Sequence, residues 1–235
     1  MCFRYTIDES VYRQVEELVD VVSPSILNAG MHAAAITPAL PAPVISLTAQ
    51  GLCLSPKIFG YPPAFYGKKS RFVYNARSET VLEKNMFHEG ICHHRAVIPA
   101  AAFNEMDPER RLFGFRHPDA SPLYLAGFFD IRTVTYKNGK ILQTGFIPDP
   151  ADHCSLAGMR RDIHPEAGDL PCIEMKNLPC FIILTTVPNE AVKQVHSRMP
   201  VIIEKSEIAD WLTGISVREI LGRSCDTDLT VCGPE

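Results

Sequence analysis

Apolar residues recur at helical spacing near the start of the chain. The apolar positions are Val11, Val15, Leu18 and Val22. They fall three or four residues apart, which is the repeat of one face of a helix. Just before them, Thr6 and Glu9 have the spacing of a capping box, a common signal for a helix start. The pattern therefore predicts a helix over residues 8–22 that ends near Pro24.

Several other stretches carry the alternating or continuous apolar pattern of β-strands. The predicted strands are 2–6, 44–49, 95–103, 121–134, 141–147 and 180–187. Asn138-Gly139, a strong hairpin signal, lies between the fourth and the fifth, so these two are predicted to pair. The last strand is rich in β-branched residues and is the clearest of the set.

Short helices and loops account for most of the remaining residues. The predicted helices are 78–87 with Ser78 as its cap, 189–197 with Asn189 as its cap, 206–213, and 216–222 with a capping-box pattern at Ser216 and Glu219. The predicted loops are 30–43, 51–70 and 148–171. Because no repeat and no clear linker divides the chain, we expect one domain over residues 1–235.

The composition is that of an ordinary soluble globular protein. The chain has 235 residues, of which 46% are hydrophobic, and a mean hydropathy of +0.01. It has no run of about 18 apolar residues, so no membrane span is expected. Its charged first residues lack the apolar core of a signal peptide. We therefore expect a cytoplasmic protein that is not secreted and whose cysteines are mostly thiols.

The cysteine and histidine pattern does not predict a metal site. No two cysteines have the CxxC spacing of zinc and redox motifs. Cys92-His93-His94 is the one tempting cluster, but neighbouring residues of a strand point to opposite faces. We expect neither a bound metal nor a cofactor.

The charge distribution leaves room for a local nucleic-acid groove. A net charge of −4 argues against a surface that coats nucleic acid broadly. Residues 68–77 are the exception, because they mix cations with aromatic residues and contain no acid. The members of this basic stretch are Lys68, Lys69, Arg71, Phe72, Tyr74 and Arg77. Such mixing suits single-stranded nucleic acid, and an edge strand whose charges face water is an equally good interpretation.

Cys2 is a candidate nucleophile because of its place in the chain. It follows Met1, and its small side chain is of the kind that methionine aminopeptidases accept. Once Met1 is removed, Cys2 carries an α-amine (pKa about 7.7–8.0) and a thiol (pKa about 8.5) on adjacent carbons. Such a 1,2-aminothiol condenses with an aldehyde to an imine, and the thiol then closes a thiazolidine ring.

Glu105 and His196 are candidate acid–base groups. Glu105 follows an apolar run, where burial would raise the pKa of a carboxyl towards the range that suits proton transfer. A loop glutamate in water is the alternative. His196 lies near the end of a predicted helix, where a histidine can titrate near neutral pH or interact only with the helix dipole.

Four separated motifs together resemble one known family. The motifs are MCFR at 1–4, NARSET at 75–80, IPAAAFNEM at 98–106 and HSRMPVI at 196–202. They resemble the SOS-response-associated peptidase (SRAP) family, whose members shield abasic sites in single-stranded DNA. The pattern of that family is Met-Cys-Gly-Arg, Asn-Ala-Arg-x-Glu, Pro-x-x-x-Phe-x-Glu-Trp and His-x-Arg-Met-Pro. The resemblance runs in the right order from residue 1 to about residue 213.

The resemblance implies four catalytic positions. Cys2 matches the nucleophile that forms a thiazolidine with the ring-opened sugar aldehyde of an abasic site. Asn75 matches the asparagine beside that cysteine, Glu105 matches the catalytic carboxylate, and His196 matches the histidine of the last motif. The same resemblance implies four DNA contacts. Those positions are Arg4, Pro38, Arg77 and Arg198.

Three departures from the family pattern bear on DNA binding. Phe3 stands where the pattern has glycine, which lets a backbone approach a ligand closely. Met106 stands where the pattern has tryptophan. A segment that carries tryptophan in relatives has none here, and the only tryptophan of the chain is Trp211. These changes affect the predicted DNA affinity more than the predicted chemistry of Cys2.

The leading hypothesis is a monomeric SRAP-like sensor of abasic sites that binds single-stranded DNA and crosslinks to it through Cys2. A thiol peptidase that cleaves its own N-terminus and a non-catalytic binder of single-stranded DNA are the alternatives. For the fold we expect α+β, with a mainly antiparallel, curved or barrel-like sheet and short helices around it. A sheet of this kind would allow Cys2, Asn75, Glu105 and His196 to converge.

Overall fold

The computed structural model of the protein describes most of the chain. The described residues are 2–29, 34–62, 72–137, 140–146, 173–214, 217–222 and 225–234. Several predictions fall outside them. These concern Met1, the Lys68, Lys69 and Arg71 part of the basic stretch, the Asn138-Gly139 turn, the loop 148–171 and the Ser216 cap.

Strands dominate the described residues. In chain order they are β1 (Arg4–Ile7), β2 (Val21–Val22), β3 (Ala34–Ile36), β4 (Pro41–Thr48), β5 (Gly51–Phe59), β6 (Asn75–Arg77), β7 (Arg95–Ala100), β8 (Ala102–Met106), β9 (Leu112–Arg116), β10 (Leu123–Lys137), β11 (Lys140–Phe146), β12 (Ile173–Thr186), β13 (Met199–Pro200), β14 (Ile202–Ile203) and β15 (Thr230–Cys232).

The helices are short. They are α1 (Glu9–Glu16), α2 (Pro24–Ala29), α3 (Asn85–His93), α4 (Glu190–Lys193), α5 (Ile208–Thr213) and α6 (Val217–Gly222), with 3₁₀ turns at Val81–Glu83 and Lys205–Glu207. Among the described residues, no helix is both long enough and apolar enough to cross a membrane.

Five strands close into a barrel. β10 pairs with β7, β7 with β4, β4 with β5, β5 with β12, and β12 again with β10. All of these pairings are antiparallel except that of β5 with β12, which is parallel. Closing the ring pairs the backbone N–H and C=O groups that the edge strands of an open sheet would expose. The prediction of an α+β fold with a barrel-like, mainly antiparallel sheet is therefore confirmed.

A second, antiparallel sheet lies beside the barrel, with the strand order β15-β9-β8-β1-β3. The predicted strand 95–103 is divided between the two sheets, because β7 belongs to the barrel and β8 to the second sheet. At the break, the Ala101 N–H donates to the Thr6 carbonyl at 2.7 Å. One continuous apolar run thus carries the chain from the barrel to the strand beside β1.

Two hydrophobic clusters use opposite faces of the barrel strands. One cluster combines the outer face with the helices, and it includes Val15, Ile45, Ile182 and the single tryptophan, Trp211. The other fills the barrel and continues into the second sheet, where Phe103 belongs to it. Alternate residues of a strand point to opposite faces, so the barrel strands are apolar on both sides.

The predicted helix over 8–22 begins within one residue of its predicted start, but its predicted end was wrong and its cap is not Thr6. Helix α1 stops at Glu16, and the chain then extends so that β2 pairs in parallel with β5. The cap is Asp8, whose Oδ1 accepts the Val11 N–H at 2.9 Å. Pro24 begins α2, in keeping with the tolerance of a helix first turn for proline.

The predicted loop 51–70 was also wrong over its first half, which is the barrel strand β5. Gly51 and Pro56 are of residue types that usually interrupt strands, and they led to the prediction of a loop. Gly51 instead has a φ of 103° at the tight turn from β4, and Pro56 lies opposite Pro43 in the β4–β5 pairing. Two prolines can face each other where the pairing needs no N–H from either. The predicted loop 30–43 likewise contains β3 and the start of β4.

The predicted helix 78–87 is displaced along the chain. The Ser78 N–H donates to the Thr185 carbonyl at 2.9 Å, which extends the pairing of β6 with β12, so Ser78 does not cap a helix. A 3₁₀ turn follows, and α3 begins only at Asn85. The pairing of β10 with β11 and the Asn189 cap, whose Oδ1 accepts the Val192 N–H at 3.1 Å, are confirmed.

Candidate active site

The candidate site lies where the start of β1, in the second sheet, meets the barrel. We call this junction the seam. β1 pairs with β8, which carries Glu105, and β6 carries Asn75 alongside β12. His196 follows α4, and its N–H donates to the Val192 carbonyl at 2.8 Å. Two sheets and one helix end thus bring together residues that are far apart in the sequence.

Cys2 is fully buried in this seam and is not part of a disulfide. The Asn75 side-chain amide donates to the main-chain carbonyl oxygen of Cys2 at 2.9 Å. The Cys2 thiol lies 3.8 Å from the Arg4 carbonyl oxygen. Burial raises the pKa of the Cys2 thiol, and the negative charge of Glu105 raises it further. The side chain is therefore held as a neutral thiol whose backbone is fixed by Asn75.

Only one of the two polar atoms of the Asn75 side-chain amide makes a hydrogen bond among the described residues. Its Nδ2 holds Cys2, whereas its Oδ1 is buried and makes no hydrogen bond within the described part of the chain. A buried acceptor without a partner costs free energy. It is therefore suited to accept a hydrogen bond from an amine or a hydroxyl that arrives beside Cys2.

Glu105 is an interior residue of β8, with only 1% of its surface exposed. The prediction that it follows the end of a strand was wrong, because the strand continues to Met106. Burial raises the pKa of the Glu105 carboxyl, and His196 opposes this rise. A carboxyl in such surroundings takes up and releases protons closer to neutral pH than one in water.

His196 faces Glu105 across a gap, with 3.7 Å between its Nδ1 and Glu105 Oε2. The same nitrogen lies 3.1 Å from both the N–H and the carbonyl oxygen of Arg198. Nδ1 can accept from the Arg198 N–H when it carries no proton. When it carries one, it can donate to the Arg198 carbonyl oxygen or to Glu105 Oε2. The surroundings of His196 thus accommodate both protonation states.

Arg198 is held by protein groups on two sides. Its two terminal nitrogens donate to the two carboxylate oxygens of Glu79 at 2.6 and 2.8 Å, and Nη2 also donates to the Thr185 carbonyl at 2.6 Å. Its side chain is 15% exposed, against 46% for Glu79. These hydrogen bonds lower the pKa of Glu79. A phosphate at Arg198 would have to share the guanidinium with Glu79.

The other predicted DNA contacts lie around the same seam. Arg77 is exposed at the end of β6 and has no ion pair among the described residues. Arg4 is half-buried and follows Cys2 into β1. Pro38 occupies a turn in which the Leu40 N–H donates to the Thr37 carbonyl at 3.1 Å and Ala39 has a φ of 76°.

Sequence reasoning did not single out Glu79 or Thr185. Glu79 belongs to the NARSET motif, but nothing in the sequence connects it with Arg198, which is 119 residues away. No group of three His, Cys, Asp or Glu side chains in the described ranges is arranged to hold a metal ion.

A profile of one protein family matches residues 1–228 of the chain, and its description is SOS response associated peptidase, SRAP. The chain belongs to the SRAP family. The family resemblance read from the four motifs is therefore confirmed.

Two curated relatives of this SRAP chain carry the name abasic site processing protein YoqW. One is from Bacillus subtilis strain 168 and the other from Bacillus phage SPbeta. Each is 26% identical over 141 residues, which make up 59% of this chain and 46% of the relative. The chain therefore matches about half the length of these curated relatives.

Solved structures resemble the SRAP chain over nearly its whole length. A protein from Bordetella bronchiseptica is 20% identical with a TM-score of 0.62, and the match covers 98% of both chains. A protein from Bacteroides thetaiotaomicron is 15% identical with a TM-score of 0.65, and the match covers 98% of this chain and 90% of the other. At these identities the likeness concerns the fold.

The residues at which this SRAP chain departs from the family pattern differ in their exposure. Met106, at the tryptophan position beside Glu105, is 37% exposed, so it lies at the surface and not in the core. Phe3 is half-exposed beside Cys2. Trp211 is fully buried, and its Nε1 donates to the Ala96 carbonyl at 2.9 Å. Trp211 is therefore a core residue that cannot stack on a DNA base.

Proposed function

We propose that this SRAP protein is a sensor of abasic sites that binds single-stranded DNA and forms a covalent thiazolidine crosslink through Cys2 after Met1 is removed. The observation that carries the proposal is the convergence of Cys2, Asn75, Glu105 and His196 at one seam between the two sheets. The names of the curated relatives, both abasic site processing proteins, agree with this substrate.

The chemistry begins at the ring-opened sugar of the abasic site, which carries an aldehyde. The α-amine of Cys2 adds to the aldehyde carbon and forms a carbinolamine, which loses its hydroxyl as water to give an imine. The thiol then adds across the imine: a C–S bond forms and the nitrogen takes up a proton. The net reaction of aldehyde and aminothiol releases one water and needs no oxidant or reductant.

Glu105 and His196 would move the protons of this sequence. A sugar hemiacetal opens when a proton leaves its hydroxyl and another reaches the ring oxygen, and carbinolamine dehydration also needs an acid. The raised pKa of Glu105 favours the neutral form that can supply such a proton. His196, at 3.7 Å, would exchange protons with it and stabilise the opened sugar.

Asn75 and the arginines would place the DNA. The buried Oδ1 of Asn75 would accept a hydrogen bond from the released amine of Cys2 or from a sugar hydroxyl. Arg77 and Arg4 would contact phosphates on either side, with Arg198 and the turn at Pro38 at the border of the site. Since an abasic site has no base, contacts to the backbone suffice for recognition, and binding would be independent of sequence.

The test is a denaturing gel of protein that begins at Cys2, mixed with single-stranded DNA that carries one abasic site. We expect a heat-stable shifted band that is absent with intact DNA. Cys2→Ala should remove the band and leave ordinary DNA binding intact. Cys92→Ala is the matched control, because Cys92 is a partly exposed thiol on α3 and its loss should not change the band. A band that persists in Cys2→Ala would refute the proposal.

A peptidase that acts on its own N-terminus is the second candidate. The Glu105–His196 pair at the same seam as Cys2 favours it, because a thiol beside an acid–base pair can also attack a peptide bond. Mass spectrometry of protein made without aminopeptidase activity separates the two. Loss of Met1 in the wild type but not in Glu105→Gln would favour self-cleavage. Retention of Met1 in both excludes it.

A further inference from the structure

The Glu79–Arg198 pair differs from an ordinary surface ion pair. The guanidinium is mostly buried and donates to both oxygens of Glu79. It also donates to the main-chain carbonyl of Thr185 in β12, and that carbonyl in turn accepts the Ser78 N–H. Arg198 is thereby tied to the NARSET turn and to the barrel at the same time.

The fixed arginine lies next to the proposed acid–base pair. The Arg198 N–H is 3.1 Å from His196 Nδ1, and that nitrogen is 3.7 Å from Glu105 Oε2. A continuous series of contacts therefore runs from Glu79 through the Arg198 side chain and peptide to His196 and Glu105. Each contact is at or near hydrogen-bond distance.

We infer that Glu79 is a positioning residue that acts through Arg198 to hold His196 in register with Glu105. The inference rests on the proposed function, since it assigns Glu79 a part in the same proton transfers. Glu79 touches neither Cys2 nor the acid–base pair through any described hydrogen bond, and the hydrogen bonds that connect it to His196 run through Arg198.

The geometry favours positioning over competition with a DNA phosphate. Both terminal nitrogens of Arg198 are already in charge-assisted hydrogen bonds to Glu79. A bidentate arginine–carboxylate pair fixes orientation as well as charge. Glu79 also offsets the Arg198 charge, which would otherwise oppose protonation of the neighbouring imidazole.

The test compares Glu79→Gln with Glu79→Asp and with Glu9→Gln. Glu9 pairs with Arg13 at 3.1 Å in an exposed pair on α1, so Glu9→Gln is matched in charge and chemistry. The readouts are the rate of crosslink formation at saturating abasic DNA, its pH profile across the range in which carboxyl and imidazole groups titrate, and the affinity for intact single-stranded DNA.

We expect Glu79→Gln to lower the saturated rate on the order of tenfold, the scale of a small misplacement of catalytic groups. The pH profile should move to lower pH, because the uncompensated Arg198 charge opposes protonation of His196. Affinity for intact DNA should stay the same. Glu79→Asp, which keeps the charge, should restore the pH profile, and Glu9→Gln should behave as the wild type.

Two results would overturn the inference. An unchanged rate and pH profile in Glu79→Gln would mean that the pair is only structural. A faster reaction with tighter binding of intact DNA would mean that Glu79 competes with a phosphate for Arg198. If the wild type forms no crosslink, the proposed function fails, and NMR titration of the His196 ring decides the inference. A titration curve that Glu79→Gln does not move would contradict it.

Discussion

Glu105 and Glu79 each face a basic side chain from the same short segment, residues 196–198, yet their surroundings are opposite. Glu105 is buried and lies 3.7 Å from His196, and burial raises its pKa. Glu79 is half-exposed and holds Arg198 in two hydrogen bonds of 2.6 and 2.8 Å, which lower its pKa. The buried glutamate is in a loose pair, and the accessible glutamate is in a tight one.

The difference shows how one segment can hold a reactive pair and a rigid pair. A loose contact to a buried carboxyl leaves that carboxyl able to exchange its proton, because its charged form is not strongly stabilised. A tight bidentate pair stabilises both charges and fixes the main chain between them. Four expected changes in rate, stability and salt dependence test this contrast.

Glu105→Gln should lower the rate of crosslink formation by about 100-fold or more, because general acid–base groups contribute roughly 10²–10⁴-fold. The amide keeps the shape of the side chain but cannot exchange a proton. The measurement is single-turnover crosslinking with abasic single-stranded DNA. Asp107→Asn, in the partly exposed pair with Arg111, is a control from the same strand end. A rate within a few-fold of the wild type would remove Glu105 from the mechanism.

The same Glu105→Gln change should stabilise the protein at neutral pH. A carboxyl whose pKa is raised on folding binds protons more tightly in the native state, so the stability of the wild type falls as pH rises through the unfolded and then the folded pKa. Removing the buried charge should increase the free energy of unfolding by about 1 kcal/mol. The increase should vanish below the unfolded pKa of about 4.3. Urea unfolding at both pH values measures it, and destabilisation at neutral pH would contradict it.

The sequence predicted the pieces of the candidate site better than their arrangement. Cys2, Asn75, Glu105 and His196 each lie in a short motif that can be recognised locally, and the structure brings all four to one seam. Their catalytic roles stay predictions. The Arg198–Glu79 pair was missed because its members are 119 residues apart. They come together because β6, which precedes Glu79, and β13, which follows Arg198, both pair with β12.

The fold shows the same division between local and distant information. The fold class follows from alternation and composition, and the pairing of β10 with β11 follows from the Asn138-Gly139 signal between two alternating segments. All of these signals are local. β5 was taken for a loop because Gly51 and Pro56 usually interrupt strands, whereas Pro56 is accommodated by Pro43 on the neighbouring strand. Glu105 was placed after a strand because the hydrophobic run ends before it. A carboxylate inside β8 becomes recognisable only with knowledge of its buried neighbours.

Glu79→Gln should destabilise the protein, in the opposite sense to Glu105→Gln. A carboxyl whose pKa is lowered on folding contributes stability above its unfolded pKa, and this contribution is lost as pH falls through the folded pKa. Because Glu79 is half-exposed and screened by solvent, the expected loss at neutral pH is about 1 kcal/mol or less. It should disappear in acid. Urea unfolding measures it, with Glu9→Gln as the exposed control. A loss that persists at low pH would show that packing, and not charge, is responsible.

Arg77→Gln should reduce the salt dependence of binding to intact single-stranded DNA, which is the smallest effect. Each phosphate contact contributes about 0.7 to the slope of log affinity against log salt for a single strand, and Arg77 is exposed and able to make one. Arg116→Gln, an exposed cation on β9, is the control and should leave the slope unchanged. Arg198→Gln should also leave it nearly unchanged, because Glu79 already occupies the guanidinium. If Arg198→Gln lowers the slope as much as Arg77→Gln does, Arg198 leaves Glu79 for a phosphate, and the tight pair does not survive DNA binding.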